Sequence, residues 1–69
     1  MDIKWVNDSE ISVCVNRDAV VISANREGLL SLAGQMAALA NEETGSHIHY
    51  DENNALDTGS TELIIERVD

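Results

Sequence analysis

The sequence predicts a single α+β domain in which an antiparallel sheet of four to five strands packs on one amphipathic helix. Two observations predict this class: several short segments alternate apolar and polar residues, and one central segment has helical periodicity instead. The predicted element order is β-β-β-α-β-β, and one helix on a mostly antiparallel sheet is the two-layer solution for such an order. The chain of 69 residues is expected to form one domain, residues 1–69.

Three strands are predicted before the helix. Residues 3–6 form a short apolar segment that ends in a polar turn. Residues 11–16 alternate aliphatic with small polar side chains, which is typical of a half-buried strand. A tight turn at residues 16–18 leads into the β-branched, apolar residues 19–23, so the second and third strands should form a hairpin.

The helix is predicted over residues 26–41. Asn25 is a suitable N-cap, because its side chain can accept a hydrogen bond from a free backbone N–H. The apolar stripe that should face the sheet consists of Leu29, Leu32, Ala33, Met36, Leu39 and Ala40, with Leu30 and Ala37 at its edge. The face that should meet solvent holds Glu27, Ser31, Gln35 and Ala38. Gly45 can supply a left-handed turn after the helix.

Two strands are predicted after the helix, over residues 46–51 and 62–68, with a polar loop over residues 51–61 between them. If the aliphatic side chains of the second strand face the helix, Cys14 faces away from it. The other apolar residues that should lie on this outer face are Val6 or Trp5, Val21 or Val20, and Ile64 or Leu63. A one-sided sheet normally has a polar outer face, so this surplus favours a partner or a homodimer.

Charge limits the kinds of partner. Thirteen acidic and four basic residues give a net charge of −9, which disfavours nucleic acids and anionic membranes because both require a basic surface. A basic protein partner is favoured instead, because opposite potentials steer encounter. The alternative is that the acidic surface only keeps a small protein soluble, which would explain the total charge. The distribution favours a partner more strongly, because no basic residue lies between Glu27 and Glu66. The predicted partner-binding residues form an acidic rim with two amides that can hydrogen-bond: Glu42, Glu43, Asp51, Glu52, Asn53, Asn54 and Asp57.

Catalytic chemistry has little support in the sequence. His47, His49 and Asp51 fall on one side of a predicted strand and could share a metal ion, but no further Cys or His completes a structural site. No glycine-rich phosphate loop and no nucleophile motif is present, so we expect no catalytic residue, metal or cofactor. Cys14 is the only cysteine, and no apolar run reaches the roughly 18 residues of a membrane span, so we expect a cytoplasmic protein.

Two stretches of the sequence resemble a known family. Residues 22–33, ISANREGLLSLA, resemble its strand-to-helix junction, and residues 47–51 with residues 59–66, HIHYD and GSTELIIE, resemble its closing hairpin. The family is immunity protein 32 of bacterial polymorphic toxin systems, and the similarity spans about residues 11–68. It implies a small α+β protein, made beside a toxin, that binds and blocks that toxin. The alternatives are a homodimeric structural or regulatory domain and, more weakly, a metal-dependent enzyme.

Overall fold

The computed structural model describes all 69 residues and consists of two β-hairpins joined by one helix. The elements are β1 (Ile11–Asn16), β2 (Ala19–Ala24), α1 (Arg26–Leu39), β3 (His47–Tyr50) and β4 (Leu63–Glu66). The chain is α+β, as predicted. The predicted sheet of four to five strands and the order β-β-β-α-β-β are wrong, because β1 pairs only with β2 and β3 only with β4, both antiparallel.

A segment of loop separates the two hairpins. The outer edge of β1 is bonded by Asp57 N to Ile11 O at 2.8 Å and by Thr61 N to Val13 O at 2.7 Å. The Oγ of Ser60 accepts from Val13 N at 3.2 Å. Between these two backbone bonds, β1 advances by two residues while the loop advances by four. This mismatch prevents a regular ladder between the hairpins.

The predicted first strand, residues 3–6, is also absent from the structure. These residues run along α1 without regular secondary structure, and side chains of the helix bond their backbone. Gln35 Nε2 donates to Lys4 O at 2.8 Å, and Val6 N donates to Ser31 Oγ at 2.8 Å. The helix provides partners for these two backbone groups, and residues 3–6 are otherwise exposed to solvent, so the segment needs no sheet edge.

Asn25 is the N-cap of α1, as predicted. Its Oδ1 accepts from Gly28 N at 2.7 Å and from Glu10 N at 3.0 Å, so it joins the start of the helix to the residue before β1. The helix ends at Leu39, two residues before the predicted end, and Gly45 makes the left-handed turn into β3 with φ of 92°. This helix falls short of the length and apolar character that a bilayer-spanning helix needs.

The buried face of α1 differs from the predicted one. Leu32 and Leu39 are buried as expected, but the predicted core residues Leu29 and Met36 are 55% and 43% exposed. The helix instead buries Gly28, Ser31, Leu32, Gln35 and Leu39. Burial of Ser31 and Gln35 is possible because each has hydrogen-bond partners in the N-terminal segment, so their desolvation is compensated.

A small core lies between the helix and the two hairpins. It consists of Ile11, Val13, Leu32, Leu39, Ile48, Tyr50 and Leu56. Tyr50 is fully buried, and its hydroxyl donates to Gln35 Oε1 at 2.7 Å, while its ring meets Trp5 edge-on at a centroid distance of 6.2 Å. Burial raises the pKa of the Tyr50 phenol above its ordinary value. The bonds from Tyr50 to Gln35 and from Gln35 to Lys4 O therefore connect β3, the helix and the N-terminal segment.

Replacing Gly28 with alanine should destabilise the fold. A Cβ at this position would lie 2.6 Å from Glu10 O and 2.9 Å from Ile11 Cγ1, and the first of these is a backbone atom that cannot rotate away. We expect Gly28→Ala to lower the free energy of unfolding by about 1–3 kcal/mol, measured by urea denaturation. Gly34→Ala is the matched control. Its Cβ meets nothing within 4 Å, so it should stabilise the helix by about 0.8–1 kcal/mol. Equal effects of the two substitutions would contradict the close contact.

The raised pKa of Tyr50 predicts a loss of stability at alkaline pH. The unfolded chain releases the phenol proton near the ordinary pKa of 10.0, whereas the folded chain retains it to higher pH. The protonated phenol's contribution to the free energy of unfolding is complete below pH 10.0. It is lost as the pH rises from there through the folded-state pKa.

Tyr50→Phe tests this pH dependence, because Tyr50 is the only tyrosine and all other titrating groups are unchanged. The variant should lose about 1–3 kcal/mol at neutral pH, because Gln35 Oε1 is left without its donor. Above about pH 10 its stability should fall less steeply than that of the parent. Urea denaturation from about pH 8 to about pH 11 measures both slopes. Parallel slopes would contradict burial of the phenol as the cause.

Candidate functional site

The negative charge of the chain is concentrated in its C-terminal part. Residues 42–69 contain eight acids and one base, Arg67, for a net charge of −7. Residues 11–41 contain two acids and two bases and are neutral, and the first ten residues contain three acids and one base, for −2. We call residues 42–69 the acidic half and residues 11–41 the neutral half. The β3–β4 hairpin and its loop therefore carry most of the negative potential.

The loop that joins β3 to β4 is folded by its own polar side chains. Asp51 Oδ1 accepts from Asn53 N at 2.8 Å. Asn54 Oδ1 accepts from Asp51 N at 3.0 Å, and Asn54 Nδ2 donates to His49 O at 2.9 Å. The amide of Asn54, which the sequence suggested for partner contacts, is thus engaged within the loop.

Two further carboxylates fix the far side of this loop. Glu52 Oε2 accepts from Gly59 N at 3.1 Å, and Asp57 Oδ2 accepts from Ser12 Oγ at 3.0 Å. Both side chains are exposed, while Leu56 between them is buried in the core. The loop therefore presents its carboxylates at the surface in positions that hydrogen bonds and an apolar anchor define.

Glu42 and Glu43 lie at the other end of β3. Glu43 is exposed, whereas Glu42 is half-buried, lies 3.9 Å from the Met1 amine and accepts a hydrogen bond from Arg67 through its carbonyl. The four residues of β3 separate this end from Asp51 by about 13 Å. The structure therefore divides the seven predicted residues into a helix-end group, Glu42 and Glu43, and a loop group, Asp51, Glu52, Asn53, Asn54 and Asp57.

The two histidines lie on the outer face of β3, and no third ligand joins them. Their ring centroids are 6.3 Å apart, and His49 Nε2 lies 3.2 Å from Glu62 Oε2. Asp51, the third residue of the predicted set, turns its carboxylate to Asn53 N instead. No group of three His, Cys, Asp or Glu side chains lies close enough to hold a metal ion.

A groove of about 450 Å³ lies between the N-terminal segment and α1. Its apolar lining includes Trp5 and Leu30, and Ser31 is the only hydroxyl in it. Ser31 Oγ bonds Val6 N and Ser9 Oγ rather than a base, so nothing in the groove activates it as a nucleophile.

Fold and surface together define a small acidic α+β domain whose β3–β4 loop is ordered by its own hydrogen bonds. The family model Immunity protein 32, Imm32, matches residues 19–68, from the first residue of β2 to the residues that follow β4. The chain belongs to this family, and the resemblance seen in the sequence is confirmed. No curated protein and no solved structure matches the chain.

Sequence reasoning missed one exposed surface. Leu29 and Met36 were assigned to the core on helical periodicity, yet both are exposed on one flank of α1. On the other flank, Ser31 and Gln35 contact the N-terminal segment, whose Trp5 packs on Tyr50 of β3. Leu29 and Met36 therefore lie on the flank away from β3. The hydrogen bonds of the N-terminal segment are the feature that reverses the assignment, and local periodicity does not report them.

Proposed function

We propose that this chain binds a cognate toxin of a polymorphic toxin system in the cytoplasm of the cell that makes it and thereby blocks the toxin. The observation that carries the proposal is membership of the Imm32 family, whose name denotes immunity proteins. Immunity by binding needs no catalytic step. An activated nucleophile and a three-ligand metal group are not needed for such a role.

The proposed contact surface is the acidic half. Its net charge of −7 lies beside a neutral half, so the charge of the chain is distributed asymmetrically. This asymmetry orients an approaching basic partner. Exposed charges act mainly on the rate of association, and their reach is about 10 Å at 0.1 M salt. The toxin surface that fits is basic, as in the substrate cleft of an enzyme that acts on nucleic acid.

The loop group is the centre of this proposed surface. Its carboxylates are held by hydrogen bonds to Asn53 N, Gly59 N and Ser12 Oγ, so little conformational entropy is lost when a partner engages them. The helix-end group is the second contact site on this chain for a toxin whose surface extends along the whole of β3. Self-association is compatible with this proposal, because the neutral half remains free for it.

A charge-neutralisation experiment tests the proposed surface. Asp51→Asn, Glu52→Gln and Asp57→Asn together remove three charges from the loop group, and each amide oxygen can still accept the existing hydrogen bond. We expect the association rate with the toxin to fall roughly tenfold and its salt dependence to flatten, with little change in dissociation. Stopped-flow binding at several salt concentrations measures both rates.

The matched control removes the same number of charges elsewhere. Asp2→Asn, Asp8→Asn and Glu10→Gln together change the net charge equally but leave the acidic half intact. This control should keep most of the association rate. Equal losses in the two triple variants would show that only total charge matters and would contradict the loop group as the contact. Growth of cells that express a candidate toxin domain encoded beside this chain, with and without this chain, tests immunity itself.

A further inference from the structure

The outer edge of β2 has no partner. One edge of β2 pairs with β1, and β1 is bonded on its other side by residues 57–61. Every residue of β2 except Ala24 is exposed, and the strand, AVVISA, contains no proline and no charge. Edge strands are normally guarded by lysine, proline, bulges or a covering segment. An apolar edge of six residues without any of these protective features is therefore a surface for strand pairing.

The register of the hairpin fixes which backbone groups of β2 point outward. Arg17 and Asp18 form a two-residue loop closed by the pair Asn16 and Ala19, and in such hairpins the closing pair exchanges both hydrogen bonds. Bonding then alternates along the ladder, so the N–H and C=O groups of Val20, Ile22 and Ala24 point away from β1. The same alternation sends the carbonyls of Ile11 and Val13 away from β2, and both are bonded to the loop on that side.

The surface beside this edge is apolar on the helix-facing side. In the hairpin register, Val15 pairs with Val20 and the buried Val13 pairs with Ile22, so Val15, Val20 and Ile22 share the face that packs on the helix. They are nevertheless exposed, and Val20 is 62% exposed. The exposed helix residues Leu29 and Met36 lie on the flank of α1 away from β3. We call the β2 edge with these five side chains the β2 surface.

Charge identifies the occupant of the β2 surface. The β2 surface belongs to the neutral half, whose two acids are balanced by two bases, so it has no net charge to attract a basic toxin. It is also the one large region where two chains of net charge −9 can meet without bringing acids together. A second copy of this chain therefore fits this edge better than the toxin does.

We propose that β2 pairs antiparallel with β2 of a second copy, with Ile22 opposite the same residue of the partner copy. This register pairs Val20 with the partner copy's Ala24 and engages all six outward backbone groups of each strand.

The same pairing covers the apolar side chains. Directly opposite residues of antiparallel strands point to the same face, so both helices lie on one side of a four-stranded sheet, in the order β1-β2-β2-β1. The flanks that carry Leu29 and Met36 then face each other above the paired β2 strands. Each copy then buries the exposed apolar side chains of the other copy's β2 surface.

The oligomeric state of the chain alone tests the proposal, without any toxin. Sedimentation equilibrium should show a dimer for the parent and a monomer for Ile22→Lys, because lysine at the two-fold axis brings two like charges together. Ile64→Lys is the matched control, since Ile64 is an exposed isoleucine of β4 on the outer face, and this variant should remain a dimer. Circular dichroism checks that both variants are folded. A monomeric parent, or a dimeric Ile22→Lys, would overturn the proposal.

Disulfide cross-linking tests the register and does not depend on the lysine variant. In a Cys14→Ser background, Ile22→Cys should form a covalent dimer on oxidation, because Cα atoms of a hydrogen-bonded pair are about 5.5 Å apart, within disulfide range. Val21→Cys should not, because two residues of stagger put its Cα atoms about 8 Å apart. Cross-linking of Val21→Cys alone would overturn this register.

The toxin is the other candidate occupant, and it gives a different result. If the parent is a monomer and Ile22→Lys no longer protects cells from the toxin, the β2 surface is the toxin contact and the dimer proposal fails. If the parent is a dimer and toxin binding proves absent, the proposed function fails while the dimer stands.

Discussion

The hydrogen bonds from Tyr50 to Gln35 and from Gln35 to Lys4 are the interaction on which the rest of the structure depends. They connect β3, α1 and the N-terminal segment through one buried amide. With only seven apolar side chains in the core, the chain cannot offset a buried polar group that lacks partners. Because Gln35 is satisfied at both ends, the helix can turn a partly polar face inward, and the N-terminal segment is held against it.

The local elements of this fold could be predicted from the sequence, because local rules determine them. Asn25 caps the helix, the turn at residues 17–18 closes the first hairpin, and Gly45 takes the positive φ that the next turn requires. The buried face of the helix could not be predicted in the same way. A binary pattern counts Ser31 and Gln35 as polar, whereas their partners lie 25 and 31 residues earlier in the chain.

The sheet and the candidate site were also predictable only in their local features and not in their tertiary arrangement. The alternating strands were visible, but the mismatch between β1 and residues 57–61, which prevents one continuous sheet, depends on tertiary bonds. The acidic character of the surface could be read from composition. The distribution into a loop group and a helix-end group follows from the position of β3 between them, and the internal role of Asn54 follows from the fold of its loop.

The separation of charge between the two halves accommodates both proposed contacts on one small chain. In the proposed dimer, the β2 strands meet at the centre and each acidic half lies beyond β1 of its own copy. Four strands then separate the two acidic halves, and the five spacings of about 4.8 Å from one acidic loop to the other give about 24 Å. This exceeds the Debye length of about 10 Å at 0.1 M salt, so repulsion between the two acidic halves is screened. Each loop group also stays exposed, so the proposed dimer contact and the proposed toxin contact use different residues.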